Sequence, residues 1–284
     1  MRDDKPSPQP ASPPAKAAEA EREAPVRRNS DEMRVYGINA CLALFARRPH
    51  DLRKVYLLES RIGELKPVLA WCVQRRLGYR VVAAEDLDKL TGSQHHEGIC
   101  FEARRRSLLA LSTLLRNLPP PPKPALLVWL DGVGNPHNFG AVLRSAANFG
   151  AQGVILPADS ALGLSGAAFR VAEGGAEAVA LAQIAPGEDV FGALRNAELS
   201  VVATVPREGE SLYAARLPQR LVFVLGAESG GMRQALIDRA DLHLTIPGSG
   251  AVESLNVAAS AAVLFGEYYR QRSAQTERKK YRKQ

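Results

Sequence analysis

The chain has 284 residues, a formal net charge of +7, and 46% hydrophobic against 24% charged residues, the proportions of a soluble globular protein with room for one large or two modest domains. No apolar run approaches the ~18 residues of a membrane span, and the N-terminus lacks the apolar core of a signal peptide, so a membrane or exported protein is not expected. The three cysteines, Cys41, Cys72 and Cys100, are scattered and form no C-x-x-C pair; this argues against structural zinc and a disulfide framework and makes a reducing cytoplasm the expected location.

Residues 1–34 are rich in Pro, Ala and mixed charge, with little to bury, and read as a disordered segment. From Val35 the pattern changes. "GINACLALFARR" has helical spacing, "KVYLLE" reads as a strand, and "ELKPVLAWCVQRRLG" reads as an amphipathic helix with Gly78 as its C-cap. "YRVVAA" and "GICFEARR" complete a small α/β module ending near Arg106, and a short helical piece then leads into a proline-rich connector ending at Pro124.

A second α/β series begins at Ala125. "ALLVWLD" and "RLVFVLGAE" are continuous apolar runs, as expected of buried parallel strands. "NFGAVLRSAANFG" reads as a helix, "GVILP", "LSVVATV" and "LHLTIPG" as further strands, and "ESLNVAASAAVLFGEYYRQR" as a long final helix. Strands alternating with helices imply a mostly parallel sheet covered on both faces, with ligands bound outside the carboxyl ends of its strands. Three loops leave those ends with unusual chemistry: 131–138, 226–231 and 248–256.

Charge is unevenly placed along this frame. Residues 1–34 balance, 35–118 carry a net +6, 119–269 a net −5, and the tail from Arg270 a net +6. Alone, this fits either ordinary solvated basic faces or a polyanion footprint, most simply nucleic acid held at two places around an acidic body.

Nucleotide signatures are missing. No Gly-Lys pair exists for a Walker A loop, and neither "DGVGNPHNFG" nor "GSGAVES" completes G-x-G-x-x-G. His95 and His96 are adjacent and no H-E-x-x-H occurs, so no metal site is expected; the hydrolase elbow G-x-S-x-G is also absent. What remains is amide, guanidinium and carboxylate chemistry. Asn138 ahead of a helix fits either an N-cap or a site group. Ser254 and Asn256 fit a cap equally well, and Glu228 fits a solvent-facing loop acid. Arg144, among the small and apolar neighbours "AVLRSAA", is poorly placed for a purely solvated charge and suits a grip on phosphate or carboxylate.

In order along the chain, "LDGVGNPHNFGAVLRSAANFG", "FVLGAESGGM" and "LTIPGSGAVESLNVAASAAVLFGEYYRQR" resemble the three motifs of the SpoU/TrmH family of the SPOUT superfamily. These are S-adenosylmethionine-dependent RNA ribose 2′-O-methyltransferases. The segment from "VYGINACLALFARR" to "LTGSQHHEGICFEAR" resembles the family's RNA-binding substrate domain, related to ribosomal protein L30e, so the resemblance spans roughly residues 35–272. It implies an α/β fold in which an L30e-like substrate-binding domain (35–106) and a linker (107–124) precede a methyltransferase domain (125–272) with a C-terminal trefoil knot, followed by a basic tail (273–284). It further implies a homodimer, RNA as partner, and S-adenosyl-L-methionine as cofactor. Carried over position by position, the catalytic polar set is Asn138, Arg144, Glu228, Ser254 and Asn256, with cofactor contacts at Gly226, Ile246 and Leu255. Asn135 stands where many members have Asp, Ala227 where many have Asn, and "NVAASAA" replaces a commoner Ser-Val-Ala run. A catalytically silent RNA-binding protein on the same fold is the alternative reading.

Overall fold

The computed structural model describes residues 31–160, 162–227 and 230–281. The N-terminal part builds a four-stranded sheet from β1 (Glu32–Tyr36), β2 (Leu52–Leu57), β3 (Gly78–Val81) and β4 (Ile99–Arg104), ordered β1-β4-β2-β3. The β1/β4 and β4/β2 pairs are antiparallel and β2/β3 is parallel. Helices α1 (Ile38–Arg47), α2 (Lys66–Arg75) and α3 (Ala84–Thr91) lie between these strands in the chain.

Two expectations are corrected here. Strand β1 begins at Glu32, because Met33 and Val35 are buried and pair with β4, so residues 32–34 belong to the sheet rather than to the N-terminal segment. Helix α2 ends at Arg76, which takes the left-handed conformation at φ 54°, and not at Gly78, which opens β3. The reversal comes early because Leu77 packs against the core and its N–H reaches back to the Cys72 carbonyl at 2.8 Å.

The remainder forms an eight-stranded sheet. Its strands are β5 (Leu109–Ala110), β6 (Ala125–Leu130), β7 (Gly153–Leu156), β8 (Ala180–Gln183), β9 (Ser200–Thr204), β10 (Glu210–Ser211), β11 (Arg220–Leu225) and β12 (Leu242–Thr245), ordered β10-β12-β9-β11-β6-β7-β8-β5 and parallel throughout. The linker stretch holds the expected short helix, α4 (Leu111–Arg116), and adds β5 to the sheet, because Leu111, Leu114 and Leu118 are buried against it. Arg220, itself buried, donates to the carbonyls of Pro119 (2.7 Å), Lys123 (2.9 Å) and Ala197 (3.0 Å), which fixes the proline-rich turn to the start of β11. A buried guanidinium is tolerable only with its donors satisfied in this way.

Strands β6 and β11 are buried at every position, as their unbroken apolar runs predict. One face of β6 carries Leu126, Val128 and Leu130 toward α5 (Pro136–Asn148), α6 (Gly166–Ala172) and α10 (Val257–Tyr281). The other carries Leu127 and Trp129 toward α4, α8 (Val190–Asn196) and α9 (Gln234–Ile237). The first cluster runs on without a break into the N-terminal sheet through Val35, Leu57 and Phe101. Polar pairs close the same junction. Arg48 forms a bidentate ion pair with Glu177 of α7 (Gly175–Ala178), with nitrogen–oxygen distances of 2.8–3.0 Å. Arg170 of α6 pairs with Glu97 and Glu173.

Helix α5 starts two residues earlier than its apolar pattern suggests. Asn135 is its N-cap, accepting from the His137 N–H at 2.8 Å, and Pro136 occupies the first turn. Asn138 is therefore inside the helix and is not its cap. Helix α10 begins at Val257, so Glu253 to Asn256 remain loop. Among the described residues no helix is long and apolar enough to cross a membrane.

Candidate active site

The loops of interest meet where the strand order turns. From β6 the chain proceeds outward through β7 and β8, then crosses to β9 and returns to β11, which lies directly beside β6. Open parallel sheets bind ligands in the crevice at such a switch point. Here the Asp131 N–H donates to the Leu225 carbonyl at 2.8 Å, and a Cβ on Gly132 would stand 3.3 Å from the Ala227 Cβ. The loop after β11 then folds back on itself, with the Ala227 N–H donating to the Gly231 carbonyl at 3.1 Å. Gly226 makes that fold possible, since a Cβ there would lie 2.5 Å from the Met232 nitrogen and 2.6 Å from the Gly231 carbonyl carbon. These are backbone atoms, with no flexible side chain to yield.

The third loop joins the first. Asn256 donates from Nδ2 to Asn138 Oδ1 at 3.2 Å, linking residues 118 apart in sequence. Its own Oδ1 accepts from the Ala258 N–H at 2.9 Å. Asn256 is thus a cap of α10 and a bridge to α5 at once, so the two sequence readings of this residue are not exclusive. Ser254 is exposed and makes no hydrogen bond among the described residues. Ile246 is half-buried against the core, whereas Leu255 and Val252 are 46% and 72% exposed. Glu228 lies outside the described residues.

Arg144 stands apart from the Asn138–Asn256 pair. Helix α5 buries Val142, Leu143 and Ala146, and Arg144 falls on the outer face, exposed and without a hydrogen bond or ion pair among the described residues. The small and apolar neighbours of Arg144 in sequence suggest a poor place for a solvated charge; the helix geometry places the charge outside instead. Its backbone is nevertheless closely held, because a Cβ on Gly175 would lie 3.0 Å from Arg144 Cα. Near this turn, burial pushes the Glu173 carboxyl up, and the Asn39 amide hydrogen bond (2.6 Å), the Arg170 guanidinium and the Arg144 charge together bring it below the usual carboxylate range. The residue next to the candidate site is in this way bonded to the N-terminal module.

One pair escaped the sequence reading. Asp131, only 3% exposed, accepts from Arg233 twice, from Nη2 at 2.6 Å and from the backbone N–H at 2.9 Å. It ties the end of β6 to the far side of the loop after β11. An aspartate directly after six apolar strand residues is the available signal, since a buried carboxylate needs a partner. Among the described residues no group of three or more His, Cys, Asp or Glu is arranged to hold a metal ion. Among the described residues the constellation therefore offers amide hydrogen bonds, the exposed Arg144 guanidinium and glycine-lined backbone with exposed apolar side chains. That set can align a neutral or cationic ligand and grip a phosphate, and among the described residues it carries no side chain placed as a covalent nucleophile.

The chain is similar to known proteins along most of its described length. A family model described as SpoU rRNA Methylase matches residues 125–266, and one described as RNA 2′-O ribose methyltransferase substrate binding matches residues 34–108. The chain is 38% identical over 251 residues to an Escherichia coli O157:H7 protein named uncharacterized tRNA/rRNA methyltransferase YfiF, covering 87% of this chain and 71% of that one. It is 34% identical over 244 residues to the 23S rRNA (guanosine-2′-O-)-methyltransferase RlmB of Nitrosomonas europaea, covering 85% and 93%. Among solved structures, an AdoMet-bound rRNA methyltransferase from Sinorhizobium meliloti shares the fold at a TM-score of 0.71, with 23% identity over 84% of this chain and 87% of that one.

Proposed function

The chain belongs to the SpoU rRNA methylase family and is an S-adenosylmethionine-dependent RNA 2′-O-methyltransferase; on that premise we propose that Asn138, Arg144, Glu228, Ser254 and Asn256 carry the transfer. The observation that supports this most directly is the 3.2 Å bond between Asn138 and Asn256, which unites the first and third loops at the sheet's switch point. The relatives favour the enzyme over a silent RNA-binding protein.

The chain's own residues fit the cofactor. Gly226 admits a close backbone approach, Ile246 and Leu255 offer apolar contact, and the loops hold no lysine, as suits a ligand with no phosphate. We assign the cofactor contacts to these three. Bound S-adenosylmethionine supplies an activated methyl group for in-line displacement. The protein's task is then to align the ribose hydroxyl, exclude water and help the proton leave. A guanidinium is not deprotonated in a protein, so Arg144 is not the base. Being exposed and unpaired among the described residues, it suits a clamp on the RNA phosphate beside the target ribose. The proton passes to that phosphate or to water.

RNA is gripped by the module 35–106, with its net +5, and by the basic end of the chain, and acts as either rRNA or tRNA substrate. Helices α5 and α10 pack together and leave Tyr269 54% exposed with its ring 6.0 Å from Phe149, an aromatic surface suited to a second copy of the chain. The path from β11 to β12, which lies beyond β9, followed by the return of α10 onto α5, suits a threaded C-terminal knot. A cytoplasmic setting follows from the RNA substrate. For the test, Arg144→Ala should lower methyl transfer ~10²-fold at saturating RNA with cofactor affinity unchanged by calorimetry, and Arg144→Lys should restore little. Near wild-type turnover in the lysine variant would sink the clamp.

A further inference from the structure

A second site lies beside the first. A cavity of about 320 Å³ opens at the carboxyl ends of β6, β7 and β8, on the face of the sheet opposite α5. None of Gly226, Ile246 or Leu255 lines it. Its floor includes Trp129 and Phe191, with ring centroids 5.8 Å apart, and the Arg239 guanidinium sits 4.0 Å over Phe191. Trp129 is 2% exposed, and among the described residues its indole Nε1–H has no hydrogen-bond partner.

The rim decides the ligand. Both of its cations are already engaged: Arg233 binds Asp131, and Arg239 lies 3.7 Å from Asp189. Asp159 and Glu188 leave the rim with more acids than bases, and Asp159 has no partner among the described residues. Such a rim repels phosphate. It suits a flat neutral group that stacks on aromatic and guanidinium planes and gives two adjacent N–H donors to a carboxylate. Guanine carries that pattern, with N1–H and N2–H₂ donors beside the O6 and N7 acceptors. The volume is at the small end of ligand pockets and suits one nucleoside. Arg233 links the cavity to the candidate site through Asp131. We propose that this cavity receives one unstacked guanine base of the RNA substrate, an inference that rests on the RNA methyltransferase reading.

The chain has two tryptophans, so Trp71→Phe leaves Trp129 as the sole tryptophan, whose emission is excited selectively over that of tyrosine. Titration of the full chain with guanosine should change its emission saturably. Inosine, lacking the 2-amino donors, should bind about tenfold more weakly, adenosine and inorganic phosphate should give no response, and Asp159→Ala should weaken guanosine about tenfold. Saturating S-adenosylmethionine should leave the response intact. In the unsubstituted chain, guanosine should shift one of two indole N–H resonances by NMR, which keeps the test independent of how Trp71→Phe folds. A flat titration with cofactor binding intact overturns the base cavity and leaves the methyltransferase reading standing. Equal response to adenosine, or displacement by the cofactor, also overturns it. Loss of both guanosine and cofactor binding in the unsubstituted chain sinks the two readings together.

Discussion

Replacing Glu177 with alanine leaves Arg48 facing a buried space without its main counter-charge. The Glu177 side chain is 2% exposed and that of Arg48 14%, and three nitrogen–oxygen contacts of 2.8–3.0 Å join them. Burial works against the Arg48 charge, and the Glu177 carboxylate outweighs it, so the Arg48 pKa is raised. Breaking a buried pair by deleting one partner costs about 3–5 kcal/mol. Arg48 keeps Asp51 at 3.3 Å and the Arg104 carbonyl at 2.6 Å, so the low end applies, about 3 kcal/mol. In a chain of this size that corresponds to roughly 6–12 °C in Tm, read by circular dichroism. The double replacement Arg48→Met with Glu177→Leu should recover most of the loss, because apolar packing can substitute for a buried pair. The same junction backs the turn of α5 that carries Arg144, so Glu177→Ala should also raise the KM for RNA while leaving cofactor affinity unchanged. A melt within about 1 °C of wild type, or a double variant losing as much as the summed singles, would refute the reasoning.

Two further outcomes are expected. Gly226→Ala forces a Cβ to 2.5 Å from the Met232 nitrogen, so the loop after β11 must move; cofactor affinity should fall at least tenfold by calorimetry, with a stability loss of about 1–3 kcal/mol, and an unchanged Kd would remove this loop from the cofactor site. All three cysteines are buried and free, and burial pushes their pKa values up, that of Cys100 to about 12, so a thiol reagent at pH 8 should react with none of them until denaturant is added. One rapidly titrating thiol in the folded protein would contradict the packing of the N-terminal sheet.

What the sequence discloses and what it hides divide along a physical line. Strands β6 and β11 are legible because burial on both faces demands unbroken apolar runs, and the switch-point loops are legible because glycine and amide residues there have few other uses. Asn256 is legible as a cap or a site group, but its bridge to Asn138 is not, since a bond across 118 positions has no periodic signature. Arg48 and Glu177 are 129 residues apart, and each alone reads as an ordinary surface charge. Arg144 misled in the opposite sense: its apolar neighbours in sequence occupy the inner face of α5, so they report on the helix and not on the arginine. Trp129 is the sharpest case. As a letter it only extends an apolar strand, and nothing in that run says that its indole N–H lacks a partner among the described residues or that Arg233, Arg239 and Asp159 gather around it from three later loops. Local pattern constrains which side chains must be buried, whereas function at a sheet edge depends on which distant groups share the same few ångströms. The loops that resemble a known family are the part of the site that patterns can reach, and the cavity beside them has to be found in how groups distant in sequence converge at one sheet edge.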